Sequence, residues 1–156
     1  MALMLEVSFV RRRGRRDRVY VHRSDGTSTG WDFPSYGDGL PHDLRHLVVE
    51  YELGLPDGFW GLVDGGVDVA LVHNQATLVR NGAPLVEQVG IDLTGLLEAE
   101  VAVAALVASN GEPSSELPAS ATLDAVAAIH RRLRVLALQW RDLDDGHAVS
   151  LTFPSR

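Results

Sequence analysis

Cysteine is absent from all 156 residues. Disulfides, thiolate metal ligands and cysteine nucleophiles are therefore excluded, and any transition-metal site must be built from His, Asp, Glu and water. Long apolar runs are missing as well. The longest, Val101 to Ala108, falls far short of the ~20 residues that a spanning helix needs. Met1 to Val10 is apolar but equally short, and its arginines follow it, the reverse of signal-peptide order. A soluble, cytoplasmic protein with no membrane partner is the expectation. Positive charge is in deficit, with 14 Lys and Arg against 21 Asp and Glu, a net charge of −7. A nucleic-acid partner is disfavoured, because binding phosphates requires a positive field. Neither a phosphate-loop pattern nor Gly-x-Gly-x-x-Gly occurs, and no hydrolase serine is expected.

What is present is ordinary globular composition, 46% apolar and 22% charged, in a length that suits a single domain over residues 1–156. Leu5, Val7 and Phe9 alternate with Glu6 and Ser8, and Val19 and Val21 alternate with Arg18, Tyr20 and His22, so both stretches read as strands. Between them, Arg11-Arg12-Arg13-Gly14-Arg15-Arg16-Asp17 reads as a solvated hairpin tip. Ser28 to Phe33 suits a third strand and Ala148 to Phe153 a final one. Helices are expected over Pro41 to Leu53, from Phe59 to Val63, from a cap at Asp92 or Thr94 to about Ser109 with Leu96, Leu97, Val101, Ala104 and Ala105 buried, and from a cap at Ser120 or Thr122 to about Asp142. The last of these should bury Leu123, Val126, Ile129, Leu133, Leu136 and Trp140. Val67 to Gly90 is mixed, with Asn81-Gly82-Ala83-Pro84 as a breaker, and Asn110 to Pro118 is a polar loop. These elements imply an α+β fold: a small antiparallel sheet, made of an N-terminal hairpin or meander plus a C-terminal strand, packed against three to four helices.

The chemistry concentrates in Leu40-Pro41-His42-Asp43-Leu44-Arg45-His46-Leu47-Val48-Val49-Glu50. His42 and His46 stand one helical turn apart, where two imidazoles can share an ion at ~2.0–2.1 Å each. At ~100° per residue, Val49, His42, Leu53, His46 and Glu50 share one face, while Leu47, Tyr51, Leu44 and Val48 lie opposite. Only Arg45 and Glu52 fall on an evidently wet strip, so the histidines should look into a semi-buried space. Asp43 occupies the place of the general base in His-Glu-x-x-His zinc hydrolases. Glu50 is about 12 Å along the axis from His42, too far to share its ion. It is better placed to accept a hydrogen bond from His46 and fix its tautomer. A third ligand must then come from elsewhere, with Asp64 preferred over Asp68 or His73. The short Leu55–Gly58 connection is the reason, because it makes the first two helices neighbours.

Three stretches together resemble a family of uncharacterised bacterial proteins common in actinobacteria: Leu40 to Glu50, Gly58-Phe59-Trp60-Gly61 with Gly65-Gly66, and Gln139-Trp140-Arg141 followed by Val149-Ser150-Leu151-Thr152-Phe153-Pro154. The likeness runs through most of the chain and implies one whole-chain unit. His42-Asp43-Leu44-Arg45-His46 is also similar to the His-Asp-x-x-His zinc motif of a family of ubiquinone-biosynthesis proteins. Where that family carries a further glutamate, this chain has Gly58.

The expectation for function is a divalent-metal site, zinc above all, with metal ligands His42, His46 and Asp64 and with Asp43 or Glu50 moving protons in a hydrolase-like reaction. The alternative is a non-enzymatic interaction or structural protein in which the histidine helix is a core element and His46 simply satisfies Glu50. His22, His130 and His147 read as surface residues, and Trp31, Trp60 and Trp140 as core aromatics. The sequence leaves a homo-oligomer open.

Overall fold

A computed structural model describes residues 4–35, 37–73, 75–108 and 117–154. Most of the polar loop expected over Asn110 to Pro118 lies outside the described residues. The protein is α+β, and its described residues form two small antiparallel sheets and four helices. Its contacts group into two compact units. Unit 1 takes the described residues up to Ser35, Leu62–Asp92 and those from Leu143 onward; unit 2 takes the described residues up to Gly61 that follow Ser35, with Leu93–Asp142. No helix among the described residues is long and apolar enough to cross a membrane.

In unit 1, β1 (Met4–Val10), β2 (Asp17–His22), β3 (Ser28–Phe33) and β7 (Ala148–Pro154) form one sheet in the order β3-β2-β1-β7. The alternation in the sequence is the burial pattern. Phe9 sits opposite Val19 on one side and Val149 on the other, Leu5 opposite Phe153, and Val19 opposite Trp31. All of these side chains are buried on one face, because successive strand residues point to opposite sides and the register is in phase throughout. The hairpin tip is solvated at Arg13, Arg15 and Arg16, but Arg11 is buried. The reason is backbone pairing: Arg11 N donates to His147 O and Gly146 N donates to Arg11 O, which extends the β1–β7 ladder one residue into the expected tip.

The stretch with mixed sequence signals is a second sheet: β4 (Asp68–Val72), β5 (Gln75–Arg80) and the short β6 (Ala83–Pro84), continued by a 3₁₀ turn at Leu85–Glu87. Asn81-Gly82 is a hairpin turn rather than a terminator. Asn81 and Gly82 both have positive φ, 53° and 79°, the signature of the two-residue turn that matches strand twist.

In unit 2, α1 (His42–Leu53) contacts α3 (Thr94–Ala108) and α4 (Leu123–Arg141). The helix boundaries arise from local chemistry. Pro41 is the N-cap residue of α1, and Gly54 ends that helix in the left-handed conformation, φ 62°. Thr122 caps α4 by accepting from Ala125 N. α4 buries Val126, Ile129, Leu136 and Trp140 as the spacing required, although Leu123, expected inside, is exposed in its first turn. Tyr51 also differs from expectation. It is exposed, with the Arg132 guanidinium 5.1 Å from its ring centre, and Arg132 in turn bonds Glu52.

The phase of α3 is the main departure from expectation. Ala99, Ala102, Val103 and Leu106 are buried, whereas Leu97, Val101 and Ala104 are exposed. The helix is apolar nearly all round, so its sequence carries no phase. Packing against α1 selects the face.

Candidate metal centre

α1 is buried on most of its circumference, including His46 and Glu50, which are 1% and 0% exposed. Two polar side chains so deep must be satisfied by each other or by the fold. Glu50 achieves this completely. Its Oε2 lies 2.8 Å from His46 Nδ1 and accepts from Phe59 N at 3.0 Å, while Oε1 accepts from Trp60 N at 2.9 Å. The two amides come from the start of α2 (Phe59–Asp64), where backbone donors lack helical partners. Trp60 adds a tie in the other direction, its indole Nε1 donating to Asp43 O at 2.9 Å. The sharp turn at Leu55-Pro56-Asp57-Gly58 thus folds the start of α2 back so that α1 supplies the acceptors and α2 the donors.

His46 is not satisfied. Its Nε2 is buried and has no hydrogen-bond partner. Glu100 Oε2, brought over by α3, stands 3.4 Å away, beyond the roughly 2.7–3.2 Å of a good N–H···O bond. The contact is electrostatic, not a hydrogen bond. His42 Nε2 is 3.9 Å from the same carboxylate oxygen, and the two imidazole rings meet edge to face at 4.8 Å between centres. Among the described residues, His42, His46 and Glu100 form the group that could hold a metal ion, with one ligand atom each and all three within 4.8 Å of one another.

These separations suit a small cation. Donors around a tetrahedral ion with bonds of ~2.0–2.1 Å stand about 3.4 Å apart. The His46–Glu100 edge is already at that value, and the longer edges involve His42 and Glu100, whose side chains are 52% and 50% exposed and free to turn inward. One ligand is rigid and two are adjustable.

Charge is arranged to match. Burial lowers the proton affinity of His46, but Glu100 and Glu50 raise it more, to a pKa of about 9. The His46 contact outweighs partial burial and holds the Glu100 carboxyl below its usual range. Burial pushes the Glu50 carboxyl up, against the pull of His46 and the two amides. In the absence of an ion, the proton on His46 is the positive charge between two carboxylates. A divalent cation at Nε2 would take that place.

Of the residues that the sequence singles out, His42, His46, Asp43 and Glu50 all lie on α1, and the pairing of Glu50 with His46 Nδ1 is the one expected. Asp64 is engaged in unit 1, where its carboxylate accepts from Ser24 N and Ser24 Oγ, both at 2.9 Å. Asp68 binds Arg23 Nη2 at 2.6 Å, and His73 occupies the β4–β5 turn with φ 50°. The carboxylate that meets the histidines is Glu100, which sequence reasoning missed. A signal for it existed: Glu98 and Glu100 are the only charged residues in α3.

One smaller expectation also changes. His130 is half-buried between helices, with Nδ1 3.1 Å from Val126 O and Nε2 3.3 Å from Leu106 O. Gly26-Thr27-Ser28-Thr29-Gly30 spells Gly-x-Ser-x-Gly, yet it leads from a turn into β3 and not from a strand into a helix as a nucleophile elbow does. Ser28 Oγ lies 3.2 Å from His22 Nδ1 on the exposed face of the sheet. No known protein family, curated protein or solved structure matches the chain.

Proposed function

We propose that unit 2 is a divalent-metal-binding module that holds zinc through His42 Nε2, His46 Nε2 and Glu100, and that the open position serves a hydrolytic reaction. The observation that carries this reading is the orphaned ring nitrogen of His46, buried and facing two further donors. Without an ion that nitrogen has a charge contact with Glu100 at 3.4 Å and no hydrogen bond; a bound ion would give it a direct partner. The donor set, two histidines one turn apart and a glutamate from another helix, is the kind that leaves a zinc position for water and lowers that water's pKa towards neutrality.

Glu50 then works through His46. Its hydrogen bond selects the Nδ1–H tautomer and leaves Nε2 as the ligand nitrogen. Asp43, half-buried and about one turn before His46 in α1, is the residue to which this reading assigns proton transfer. A second reading, in which α1 is purely structural, draws support from the completeness of the Glu50 hydrogen bonds.

Metal content separates the two. Protein purified without a histidine tag should take up about one zinc ion per chain, and His46→Ala, His42→Ala and Glu100→Ala should each lower the affinity while remaining folded. A wild-type chain that takes up no zinc at micromolar concentrations overturns the metal reading.

A further inference from the structure

Gly58 stands where no side chain can. A Cβ built on it would lie 2.5 Å from Glu50 Cδ, 2.6 Å from Oε1 and 2.9 Å from Oε2. Its φ lies outside the left-handed region, so glycine is required here for space and not for backbone conformation. Two other glycines of unit 2 are also crowded. Gly61 meets the backbone of Pro56, and Gly95 meets the backbone and Cβ of Asp57. Those two allow chain segments to approach one another. Gly58 is different, because what fills its side-chain space is the carboxylate that holds His46.

We infer that Gly58 is a positioning residue: the missing side chain at residue 58 forms the seat in which the Glu50 carboxylate lies, and through that seat fixes the tautomer and ring orientation of His46. The chain of contacts is short. Gly58 immediately precedes Phe59, whose amide binds Glu50 Oε2, the same oxygen that stands 2.8 Å from His46 Nδ1. A methyl group at residue 58 must push the carboxylate away from the α2 amides, since Glu50 is fully buried and cannot swing into solvent. Displacing it releases His46 Nδ1, and the ring is then free to turn or to carry its proton on Nε2, the nitrogen facing His42 and Glu100. The consequence for metal affinity rests on the zinc reading; the consequence for His46 does not.

The test compares wild type, Gly58→Ala, Glu50→Asp and the double variant by two measurements. Long-range nitrogen–proton spectra of the metal-free protein, recorded above pH 9 where the His46 ring is neutral, report its tautomer, and zinc titration with a competing chelator reports affinity. In wild type, the His46 Nδ1 proton should be hydrogen-bonded and slow to exchange. In Gly58→Ala that signal should shift or vanish, and zinc affinity should fall by about 10-fold or more, the range seen when the partner of a metal-binding histidine is lost. Glu50→Asp withdraws the carboxylate by one methylene, so Gly58→Ala should cost much less in that background; non-additivity of this kind is the mark of a direct contact. An unchanged His46 signal in Gly58→Ala overturns the inference, as does an equal cost in both backgrounds. So does a Gly58→Ala chain that unfolds and is not recovered by Glu50→Asp. Wild type without zinc affinity but with the tautomer change overturns the metal reading alone.

Discussion

His46 and Glu50 form a buried imidazole–carboxylate pair one helical turn apart, 2.8 Å between Nδ1 and Oε2, and only one of the two is fully satisfied. Glu50 spends both oxygens inside the fold. His46 keeps one nitrogen unmatched, and that nitrogen faces the two exposed side chains best able to bind an ion with it.

Replacing Glu50 by Gln tests what the pair contributes. Glutamine keeps the volume but offers one acceptor oxygen where three donors converge, so one amide or His46 Nδ1 must be left without a partner. We expect zinc affinity to fall about 10- to 100-fold with helix content unchanged by circular dichroism. Undiminished affinity would mean that the orientation of His46 is set elsewhere.

Asp64 supplies the complementary control. Its carboxylate serves Ser24, so Asp64→Ala should lower the melting temperature while leaving zinc stoichiometry and affinity at wild-type values. Loss of zinc in this variant would return Asp64 to the ligand set in place of Glu100.

The metal-free protein should respond to pH through His46. Its folded-state pKa, about 9, lies above the ordinary 6.5. A group raised in this way contributes stability that is fully present below the unfolded value and lost as pH rises through the folded one. Burial raises Glu50 as well, which gives the same sign. In the presence of chelator, the melting temperature should therefore decline between about pH 6.5 and 9, and His46→Ala should flatten that decline. With saturating zinc the slope should diminish or reverse, since the ion displaces the same proton. A flat profile for metal-free wild type would count against a charged His46.

Arg23 tests unit 1 independently. Its buried guanidinium donates through Nε to Val63 O at 2.6 Å and through Nη2 to Val67 O at 2.9 Å, besides its bond to Asp68. Arg23→Ala removes a donor from Val67 O and one of two donors from Val63 O, which keeps Gly66 N at 3.1 Å; a carbonyl left buried without a partner costs about 1–3 kcal/mol. The midpoint of urea denaturation should fall accordingly, with no change in zinc affinity at matched folded fraction. An unaltered midpoint would show that water replaces the guanidinium without cost.

The sequence alone determined whatever depends on neighbours a few residues apart. Strand alternation placed Leu5, Val7, Phe9, Val19 and Val21 on the buried face of the sheet, because a two-residue period allows only one choice of face. The helix end at Gly54 came from cap chemistry, which also narrowed the start of α4 to Ser120 or Thr122, and the His46–Glu50 pair came from i,i+4 geometry. Asn81-Gly82 was also legible in principle, but its turn type depends on strands whose alternation is weak. Tertiary structure decided the rest. Nothing in the nearly uniform apolar surface of α3 sets its rotation, so only packing against α1 could bring Ala99 and Val103 inward and deliver Glu100 to His46. The seat at Gly58 likewise exists only once the start of α2 has folded back onto α1, because it is defined by a carboxylate eight residues earlier in the chain.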